Sequence, residues 1–466
     1  MDIPVIVVGA GPAGLLLAGE LRLGGAGVVV LERLPEPTTE SRASTLHART
    51  MEILDSRGLV PALGDPPREP RGHFGGLPMD LTVDSAYPGQ WKVPQTRLEQ
   101  VLGEWATALG AEVRRGHELH DLAVHEDYVT AYVRGPQGSE TVRARYVVAC
   151  DGERSTVRKL TGVDFPGKDA GREMLRADVA GVTVPGRRFE RLAGGMAVAA
   201  RRPDGVTRVM VHEFGTAPAP RTAEPGFEEV VAAWKRVTGE DLSGGTPLWI
   251  NAFGDASRQV AHYRQGRILY AGDAAHIQLP VGGQALNLAL QDVVNLGWKL
   301  ALRVRDRAPD SLLDTYHAER HEAGRRVLAN IRAQTQLLLG GPEVDPLRML
   351  TAGLLALPAA RAHLAATISA VDVRYDVGDP DLGARLSLPA ITAELLRDGQ
   401  GLLLTERPTD ADVAAPWIDR VRLAPGPALL VRPDGHVVWS RKGGGDLSAA
   451  LHRWFGPPAP DMRGSG

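Results

Sequence analysis

Residues 3–33 read IPVIVVGAGPAGLLLAGELRLGGAGVVVLER and decide the fold of the amino-terminal part of the chain. An apolar run rich in β-branched residues meets the glycine-rich turn 9–14, a leucine-rich helical pattern follows, and a second apolar run ends in Glu32. This order of strand, turn, helix and strand gives the G-x-G-x-x-G pattern its meaning. The stretch therefore predicts a Rossmann-type α/β unit that binds an ADP-containing dinucleotide.

The residues of this turn have separate physical tasks. Gly9 permits the tight turn, Gly11 lets a pyrophosphate approach the backbone, and Gly14 lets the helix pack close to the sheet. Pro12 suits the first helical turn, since its missing N–H is no loss there, and the helix N-terminus attracts phosphate. Glu32 lies about 20 residues beyond the fingerprint, where an acid accepts hydrogen bonds from a ribose. The alternative is a glycine-rich turn in an unrelated α/β unit.

Length and composition set the limits of the prediction. A chain of 466 residues holds two or three domains with full cores. Basic residues are dispersed and the formal net charge is -3, so we expect no nucleic-acid partner. The single cysteine, Cys150, excludes an intramolecular disulfide and a cysteine-rich metal site. No signal peptide is visible and no apolar run approaches the ~20 residues of a membrane span, so we expect a cytoplasmic protein without a membrane partner.

Later stretches of the chain again contain apolar runs that predict buried strands. A buried strand ends at Asp151, short alternating strands occupy 165–264, and Asp273 follows another buried strand. The glycine pair Gly282-Gly283 leads into a helix predicted for 288–304, and a long helix is predicted for 311–339. We expect a discontinuous nucleotide domain (1–75, 95–170 and 265–384), an inserted, mostly antiparallel substrate domain (76–94 and 171–264) and a small carboxy-terminal α/β domain (385–466).

Several candidate residues keep two interpretations. Asp151 stands at the end of a strand beside a helix N-terminus, where it is well placed for a ligand, yet a plain strand-ending turn explains it equally well. Arg42 offers a cation near the phosphate turn, or is an exposed loop arginine. His317 and His321 have a metal-compatible spacing on a helix, but their charged neighbours indicate a solvated face, and we expect no metal site.

These pieces together resemble the class A FAD-dependent aromatic hydroxylases, with a fold like that of p-hydroxybenzoate hydroxylase. The likeness is closer still to the hydroxylases of aromatic polyketide (angucycline-type) biosynthesis and to the rifampicin monooxygenases. It covers nearly the whole chain. The segments that carry it are SRASTLHARTMEILDSRGL, GHFGGLP, VPQTRLEQ, AGDAAHIQLPVGGQALNLALQDVVNLGWKLA, LLDTYHAERH and VRPDGHVVW.

Carried over residue by residue, the resemblance implies an FAD site. The first turn would cradle the pyrophosphate, Glu32 would hold the adenosine ribose, and residues 280–287 would border the isoalloxazine with backbone N–H groups. Asp151 belongs to a motif tied to both FAD and NAD(P)H. The implied cofactor-binding residues are Gly9, Ala10, Gly11, Pro12, Ala13, Gly14, Glu32, Arg33, Arg42, Gln95, Asp151, Asp273, Pro280, Gly282, Gly283, Leu286 and Asn287. Phe74, Gly75 and Gly76 are the candidate substrate contacts.

The resemblance also implies a reaction: an FAD-dependent monooxygenase consumes NADPH or NADH and O2 and hydroxylates a polycyclic aromatic substrate through a C4a-hydroperoxyflavin. An antibiotic-inactivating hydroxylase acting on a rifamycin or a tetracycline, a Baeyer–Villiger monooxygenase and a protein that only binds flavin or drug stay open. No residue stands out as a catalytic acid or base. The carboxy-terminal unit resembles the family's thioredoxin-like domain, but it lacks cysteine and therefore has a structural or interface role. A homodimer is compatible with the sequence.

Overall fold

The structure is a computed structural model that describes residues 3–39, 43–202, 204–218, 221, 223–387 and 390–458. Arg42, one of the predicted cofactor residues, lies outside them. An eight-stranded sheet forms the centre of the amino-terminal part, in which β1 pairs in parallel with β2 on one side and β11 on the other. The elements up to residue 168 are β1 Ile3–Val8, α1 Pro12–Leu23, β2 Val28–Glu32, β3 Thr45–His47, α2 Ala48–Asp55, β4 Arg68–Glu69, β5 Arg71–Phe74, β6 Leu77–Asp80, β7 Gln90–Lys92, α3 Gln95–Ala108, β8 Glu112–Arg115, β9 Glu118–Val124, β10 Val129–Gly135, β11 Gly138–Ala149, α4 Thr156–Thr161 and β12 Gly167–Lys168.

A five-stranded antiparallel sheet follows, in the order β14-β15-β16-β13-β17. Its elements are β13 Glu173–Ala180, β14 Arg187–Leu192, β15 Gly195–Arg201, β16 Thr207–Glu213, α5 Phe227–Thr238 and β17 Thr246–Gly254. One face of this middle sheet packs against α5 through an apolar cluster that includes Leu175, Val209 and Trp234. The chain then returns to the first sheet, where β20 (Ile268–Tyr270) pairs in parallel with β11.

Long helices dominate the next segment. Its elements are β18 Ser257–Gln259, β19 Arg264–Gln265, β20 Ile268–Tyr270, β21 His276–Ile277, α6 Gln284–Val304, α7 Asp314–Leu339, α8 Asp345–Ala356 and α9 Pro358–Ile368. Helix α6 is buried along almost its whole length and packs against α1. Ala289, near the amino-terminal end of α6, and Ala13 of α1 lie against the same residue, Gly272, so this end of α6 lies near the start of α1.

The carboxy-terminal unit is a mixed four-stranded sheet in the order β23-β22-β24-β25. Its elements are α10 Ala390–Leu395, β22 Gly401–Leu404, α11 Pro408–Ala414, β23 Val421–Ala424, β24 Leu429–Val431, β25 Val437–Ser440 and α12 Leu447–Phe455. The chain is thus an α/β protein with a Rossmann-type domain, an inserted, mostly antiparallel sheet and a thioredoxin-like carboxy-terminal domain, as predicted.

A buried ionic cluster joins this carboxy-terminal unit to α6 and α7. Arg432, in the turn between β24 and β25, donates to Glu319 of α7 at 2.6 and 2.9 Å and to Asp434 at 3.0 Å. Lys299 of α6 donates to Glu319 at 2.8 Å. Burial raises the pKa of Glu319, but the adjacent Arg432 and Lys299 outweigh it and lower that pKa to about 2. The four side chains have balanced charges inside the protein.

Some element boundaries differ from the predictions. The strand predicted for 141–145 and the buried strand after it form one strand of 12 residues, β11, because β10 pairs along its first half and β1 along its second. The helix predicted from Leu46 begins at Ala48, since residues 45–47 pair with β7 instead. The helix predicted from Leu288 begins at Gln284. Strands β14 and β17 and helices α8 and α9 were not predicted.

Candidate active site

The three glycines of the first turn differ in how much space surrounds them. Gly9 has φ +102°, and a Cβ there would lie 2.4 Å from the carbonyl oxygen of Cys150. A Cβ on Gly14 would lie 2.0 Å from the carbonyl oxygen of Gly9, so α1 packs directly on the turn. Gly11 differs: its φ is -74°, which any residue adopts, and apart from its chain neighbours no atom of the described residues lies within 4 Å of its Cβ position. The described part of the chain therefore leaves the space over Gly11 open.

Glu32 is oriented toward this turn. One carboxylate oxygen accepts a 2.8 Å hydrogen bond from the backbone N–H of Ala10, and the other accepts one from the N–H of Leu34. Arg33, beside it, is exposed to solvent. The carboxylate therefore stands at the end of β2 in a fixed orientation at the edge of the turn, where a ribose hydroxyl would meet it.

Two other predicted cofactor residues carry out local structural tasks. The Asp151 carboxylate accepts hydrogen bonds from the Ser155 hydroxyl and the Thr156 N–H, both at 2.6 Å, and so caps helix α4. Burial raises the pKa of Asp151 in spite of these bonds. The Gln95 side chain donates to Glu99 at 2.8 Å within α3. Their roles toward a cofactor stay predictions.

The loop that carries Asp273 rests on a buried carboxylate. Asp292 of α6 accepts from the backbone N–H of Gly272 at 3.3 Å, from the His276 ring at 2.8 Å and from Arg320 of α7 at 2.8 Å. A Cβ on Gly272 would lie 3.5 Å from the Cβ of Ala13, so this loop touches the start of α1. Asp273 itself is exposed beside the first glycine turn.

The turn Gly282-Gly283 precedes α6. We call it the third turn, after the first glycine turn and the loop that carries Asp273. Gly282 and Gly283 both have left-handed φ angles, of 69° and 68°, and Gly283 is the N-cap residue of the helix. The Asn287 side chain donates to the backbone oxygens of Gly283 at 2.7 Å and of Thr45 at 3.0 Å. Pro280, in front of the pair, is exposed. Asn287 thus fixes the backbone of the turn at the start of α6, and the role of this turn toward a flavin stays a prediction.

His47 is a residue that the sequence analysis did not single out. Its Nε2–H donates to the Gly282 carbonyl oxygen at 2.8 Å, and its backbone N–H donates to the Asn287 side chain at 2.8 Å. Burial lowers the pKa of His47 to about 4, so the ring is neutral at physiological pH. Strand β3 therefore clamps the glycine pair from one side. Only its position in the family segment 41–59 could have indicated this contact.

The side of the middle sheet opposite α5 faces the third turn. There Met174, Met196 and the partly buried Met210 pack in one apolar group with residues next to the turn and with α7. We name this group the methionine-rich cluster: Met174, Phe189, Met196, Val198, Met210, Phe214, Phe253, Leu279, Val281, Val327, Ile331, Leu338 and Leu339. Met174 and Met196 are buried in this cluster, where the middle sheet packs on α7.

Of the candidate substrate contacts, Phe74 lies in a separate apolar group, whereas Gly76 lies beside the methionine-rich cluster. Phe74 packs with Met79, Leu337 and Leu355 in a separate group formed by β5, β6 and the helices α7–α9. The N–H of Gly75 donates to the Gln334 side chain of α7 at 3.2 Å. Gly76 has φ +82° and lies near Leu338. The role of these three residues toward substrate stays a prediction.

We expect stability to fall steeply below about pH 6.5, because burial lowers the pKa of His47 and of His73 to about 4 and that of His436 to about 3. The folded state keeps these rings neutral while the unfolded state protonates them. Each therefore contributes stability that is present above pH 6.5 and lost at roughly 1.4 kcal/mol per pH unit toward pH 4. Urea unfolding between pH 8 and 5 measures the slope.

A single substitution checks this assignment. His436→Gln should reduce the slope of the free energy of unfolding against pH by the equivalent of about one bound proton. His363→Gln, at an exposed position, should leave that slope unchanged. An unchanged slope in His436→Gln would contradict the prediction.

Among the described residues no group of three or more histidine, cysteine, aspartate or glutamate side chains is placed to hold a metal ion.

No single helix of the described part is long and apolar enough to cross a membrane. The helices Pro342–Ala356 and Pro358–Ile368, which are bent by 100° relative to each other, reach the necessary length and apolar content only when they are taken together. Burial raises the pKa of the Cys150 thiol.

The Rossmann-type glycine turn, together with the third turn that opens the long buried helix α6, is typical of a flavoprotein. Residues 2–331 match the family described as FAD binding domain, and residues 379–458 match the one described as aromatic-ring hydroxylase, C-terminal. The chain belongs to the family of FAD-dependent aromatic-ring hydroxylases and is a flavin-dependent aromatic monooxygenase.

Relatives in antibiotic metabolism are similar over the full length. A rifampicin monooxygenase of Streptomyces venezuelae is 43% identical over 97% of this chain and 98% of its own. The 12-dehydrotetracycline 5-monooxygenase/anhydrotetracycline 6-monooxygenase of Streptomyces rimosus is 42% identical over 98% and 100%. The crystal structure of CabE, described as an aromatic hydroxylase from angucycline biosynthesis, is 47% identical and covers 98% of this chain and 100% of its own, with a TM-score of 0.93.

Proposed function

We propose that the protein uses NADPH or NADH and O2 to hydroxylate a polycyclic aromatic substrate of the polyketide type. The observation that carries this proposal is the position of the Gly282-Gly283 turn. Leu279 and Val281, which lead into it, are members of the methionine-rich cluster, and α6, which follows it, packs against the helix of the first glycine turn. A cofactor that stretches between the two turns would present its reactive end to an apolar sheet surface.

FAD bound there would accept a hydride from the nicotinamide and activate O2 for transfer to the ring. The protein's own contribution is positioning and electrostatics. The open space over Gly11 admits the pyrophosphate, and Glu32 accepts hydrogen bonds from the ribose. The N–H groups at the start of α6 stabilise negative charge that develops at the flavin end nearest to them.

Two further features would fix the reactive end of the flavin in position and exclude water from it. Asn287 and neutral His47 bind the Gly282-Gly283 backbone, so the N–H groups of α6 keep their direction when charge appears. Met174 and Met196, buried in the cluster that contains Leu279 and Val281, exclude water from the sheet side. Dryness matters because water at the site would favour release of hydrogen peroxide over oxygen transfer.

We propose that the three predicted domains have separate roles. Segments 1–75, 95–170 and 265–384 hold FAD, segments 76–94 and 171–264 cover the substrate, and 385–466 has a structural role. Because the two curated relatives are named for a rifamycin and for tetracycline precursors, and the solved relative for the angucycline pathway, we place the substrate among fused-ring phenols. Inactivation of an antibiotic of the same shape and Baeyer–Villiger insertion are the competing activities.

Bleaching of the flavin by NADPH or NADH, followed anaerobically with and without anthraquinones, angucyclinones, rifamycin and tetracycline precursors, tests the proposal. We expect one of these compounds to accelerate bleaching at least tenfold and to stimulate O2 uptake. Product mass separates simple hydroxylation from decarboxylation-coupled hydroxylation, and NMR of the product distinguishes ring insertion. A protein that binds FAD but is bleached at the same rate with and without every compound would be a binder and would refute the proposed activity.

A further inference from the structure

We infer that a cleft between α6, α7 and the end of α9 is a further binding site, for a neutral, apolar ring compound with hydroxyl groups at both of its ends. The cleft contains about 440 Å³ of empty space, part of which is open to solvent. We call it the α6–α7 cleft. Its lining includes Gln284, Leu288 and Gln291 of α6, Ala323 and Val327 of α7, and Ile368 of α9.

The α6–α7 cleft lies on the side of α6 that is turned away from the first glycine turn. Ala289 is on the side of that turn, because a Cβ on Gly272 would lie 3.2 Å from the Cβ of Ala289 and 3.5 Å from that of Ala13. Gln291 follows Ala289 by two residues, which is about 200° around an α-helix. Gln284 shares the side of Gln291, since two helical turns separate them. The helix itself therefore separates this cleft from the predicted dinucleotide site.

Gln291 contributes an amide that the protein leaves without a partner. Only 7% of the residue is exposed, and its side chain makes no hydrogen bond with any residue that the structure describes. Buried amide groups are as a rule hydrogen-bonded, because removal from water is otherwise costly. Gln291 lines the α6–α7 cleft, so a molecule bound there would supply the missing partner.

Gln284 adds a second amide, whose orientation follows from a chain of hydrogen bonds. The chain begins at the backbone N–H of Gly75, which donates to the side-chain oxygen of Gln334 at 3.2 Å. The Nε2 groups of Gln334 and Gln284 both donate to Asn330 Oδ1, at 2.8 and 3.0 Å. Because a backbone N–H can only donate, it fixes the direction of every amide in the chain. Within the described part of the chain, Gln284 Oε1 is left as a buried acceptor without a partner.

The rest of the lining selects an uncharged ligand. Leu288 lies between the two amides along α6, and Val327 and Ile368 add further apolar surface. The cation and the anion of the lining, Arg326 and Asp372, pair with each other at 2.9 Å, so their charges compensate. The two amides lie about 10 Å apart along the helix. A hydroxyl both donates and accepts, so a ring compound with a hydroxyl at each end suits this order of polar, apolar and polar groups.

The single native cysteine makes a test confined to the cleft possible. Burial raises the pKa of the Cys150 thiol, which therefore reacts slowly, and Ala323→Cys places a second thiol in the lining. Mass spectrometry of the intact protein follows alkylation of the oxidised Ala323→Cys holoenzyme by iodoacetamide, with increasing 2,6-dihydroxynaphthalene and without NAD(P)H. The diol at ten times its Kd should slow this alkylation about tenfold, because only unoccupied protein reacts.

Ala329→Cys is the matched control, since Ala329 is exposed on the same helix outside the lining. The diol should leave its alkylation rate unchanged. 2,6-Dimethoxynaphthalene has the same ring system without hydroxyl donors, and its Kd for the Ala323→Cys protein should be about fivefold to tenfold higher. Adding Gln291→Leu to that protein should raise the Kd of the diol by about the same factor, because one neutral hydrogen bond is lost.

The outcomes of this experiment are separate from one another. If Ala323→Cys is not alkylated without ligand, the cleft is closed, and if the diol does not slow its alkylation, the cleft holds water only; either result overturns the inference. Equal Kd values for the diol and its dimethyl ether would overturn the role of the two amides, and this comparison decides even if Gln291→Leu does not fold. Because NAD(P)H is absent, the result does not depend on the proposed hydroxylation.

Discussion

Gly14→Ala should abolish FAD binding. The added Cβ would lie 2.0 Å from the Gly9 carbonyl oxygen, a backbone atom within the turn itself, and 3.3 Å from the Val7 side chain. Neither can move away easily, because Val7 lies in the central strand of the main sheet. The first turn of α1 has to shift outward, which displaces the N–H groups that would face the pyrophosphate. We expect purified protein without yellow colour and an FAD dissociation constant raised at least 100-fold, measured by titration of the apoprotein.

Gly11→Ala tests FAD binding separately from the stability of the fold. Its backbone suits alanine, and apart from its chain neighbours no described residue lies within 4 Å of the added Cβ, so the melting temperature of the apoprotein should stay within about 2 °C of the parent's. The methyl group enters the space that we assign to the pyrophosphate, and we expect FAD affinity to fall 10–100-fold. Gly353→Ala, in the middle of α8 with open space around it, should keep full affinity and gain up to about 1 kcal/mol. Unchanged FAD affinity in Gly11→Ala would place the cofactor elsewhere.

The first glycine turn was predictable because everything that defines it lies within about 30 consecutive residues, where strand, turn, helix and acid follow one another. The clamp on the third turn was not predictable from local pattern. His47 meets Gly282 across 235 positions of sequence, and nothing in a short apolar segment indicates which distant carbonyl a buried ring contacts. Asp151 shows the opposite case: its place at a strand end was foreseen, but only the structure shows its carboxylate capping α4.

The middle sheet illustrates a further limit of sequence reasoning. Alternation predicted strands around Met174 and Met196, yet which face is turned toward the third turn depends on how the inserted sheet packs on α7. Met174 therefore reads in the sequence as one more strand residue. In the structure it packs with Leu279 and Val281, which lead into the third turn. Family segments such as VRPDGHVVW likewise marked the turn at Arg432 without showing that its charges reach α6 and α7.

Arg432→Met should destabilise the protein by about 3–5 kcal/mol, since removal of one partner leaves uncompensated charge inside a buried ion cluster. Arg432 and Lys299 neutralise Glu319 and Asp434, and every one of these side chains is buried. Without the guanidinium, two carboxylates share one ammonium group. The loss should appear as a lower urea midpoint of the FAD-saturated protein, since a typical protein has only about 5–15 kcal/mol to lose.

The double variant Arg432→Met/Asp434→Asn shows whether charge or packing causes the loss. It removes one cation and one anion and leaves Lys299 paired with Glu319 at 2.8 Å, so the cluster is again neutral. We expect it to be more stable than Arg432→Met by at least about 1 kcal/mol, because a charge-balanced site avoids the cost of an isolated buried carboxylate. Arg397→Met, whose side chain is 52% exposed and 3.9 Å from Glu394, should change stability by less than about 0.5 kcal/mol. If the double variant is no more stable than Arg432→Met, unbalanced charge is not the cause of the loss.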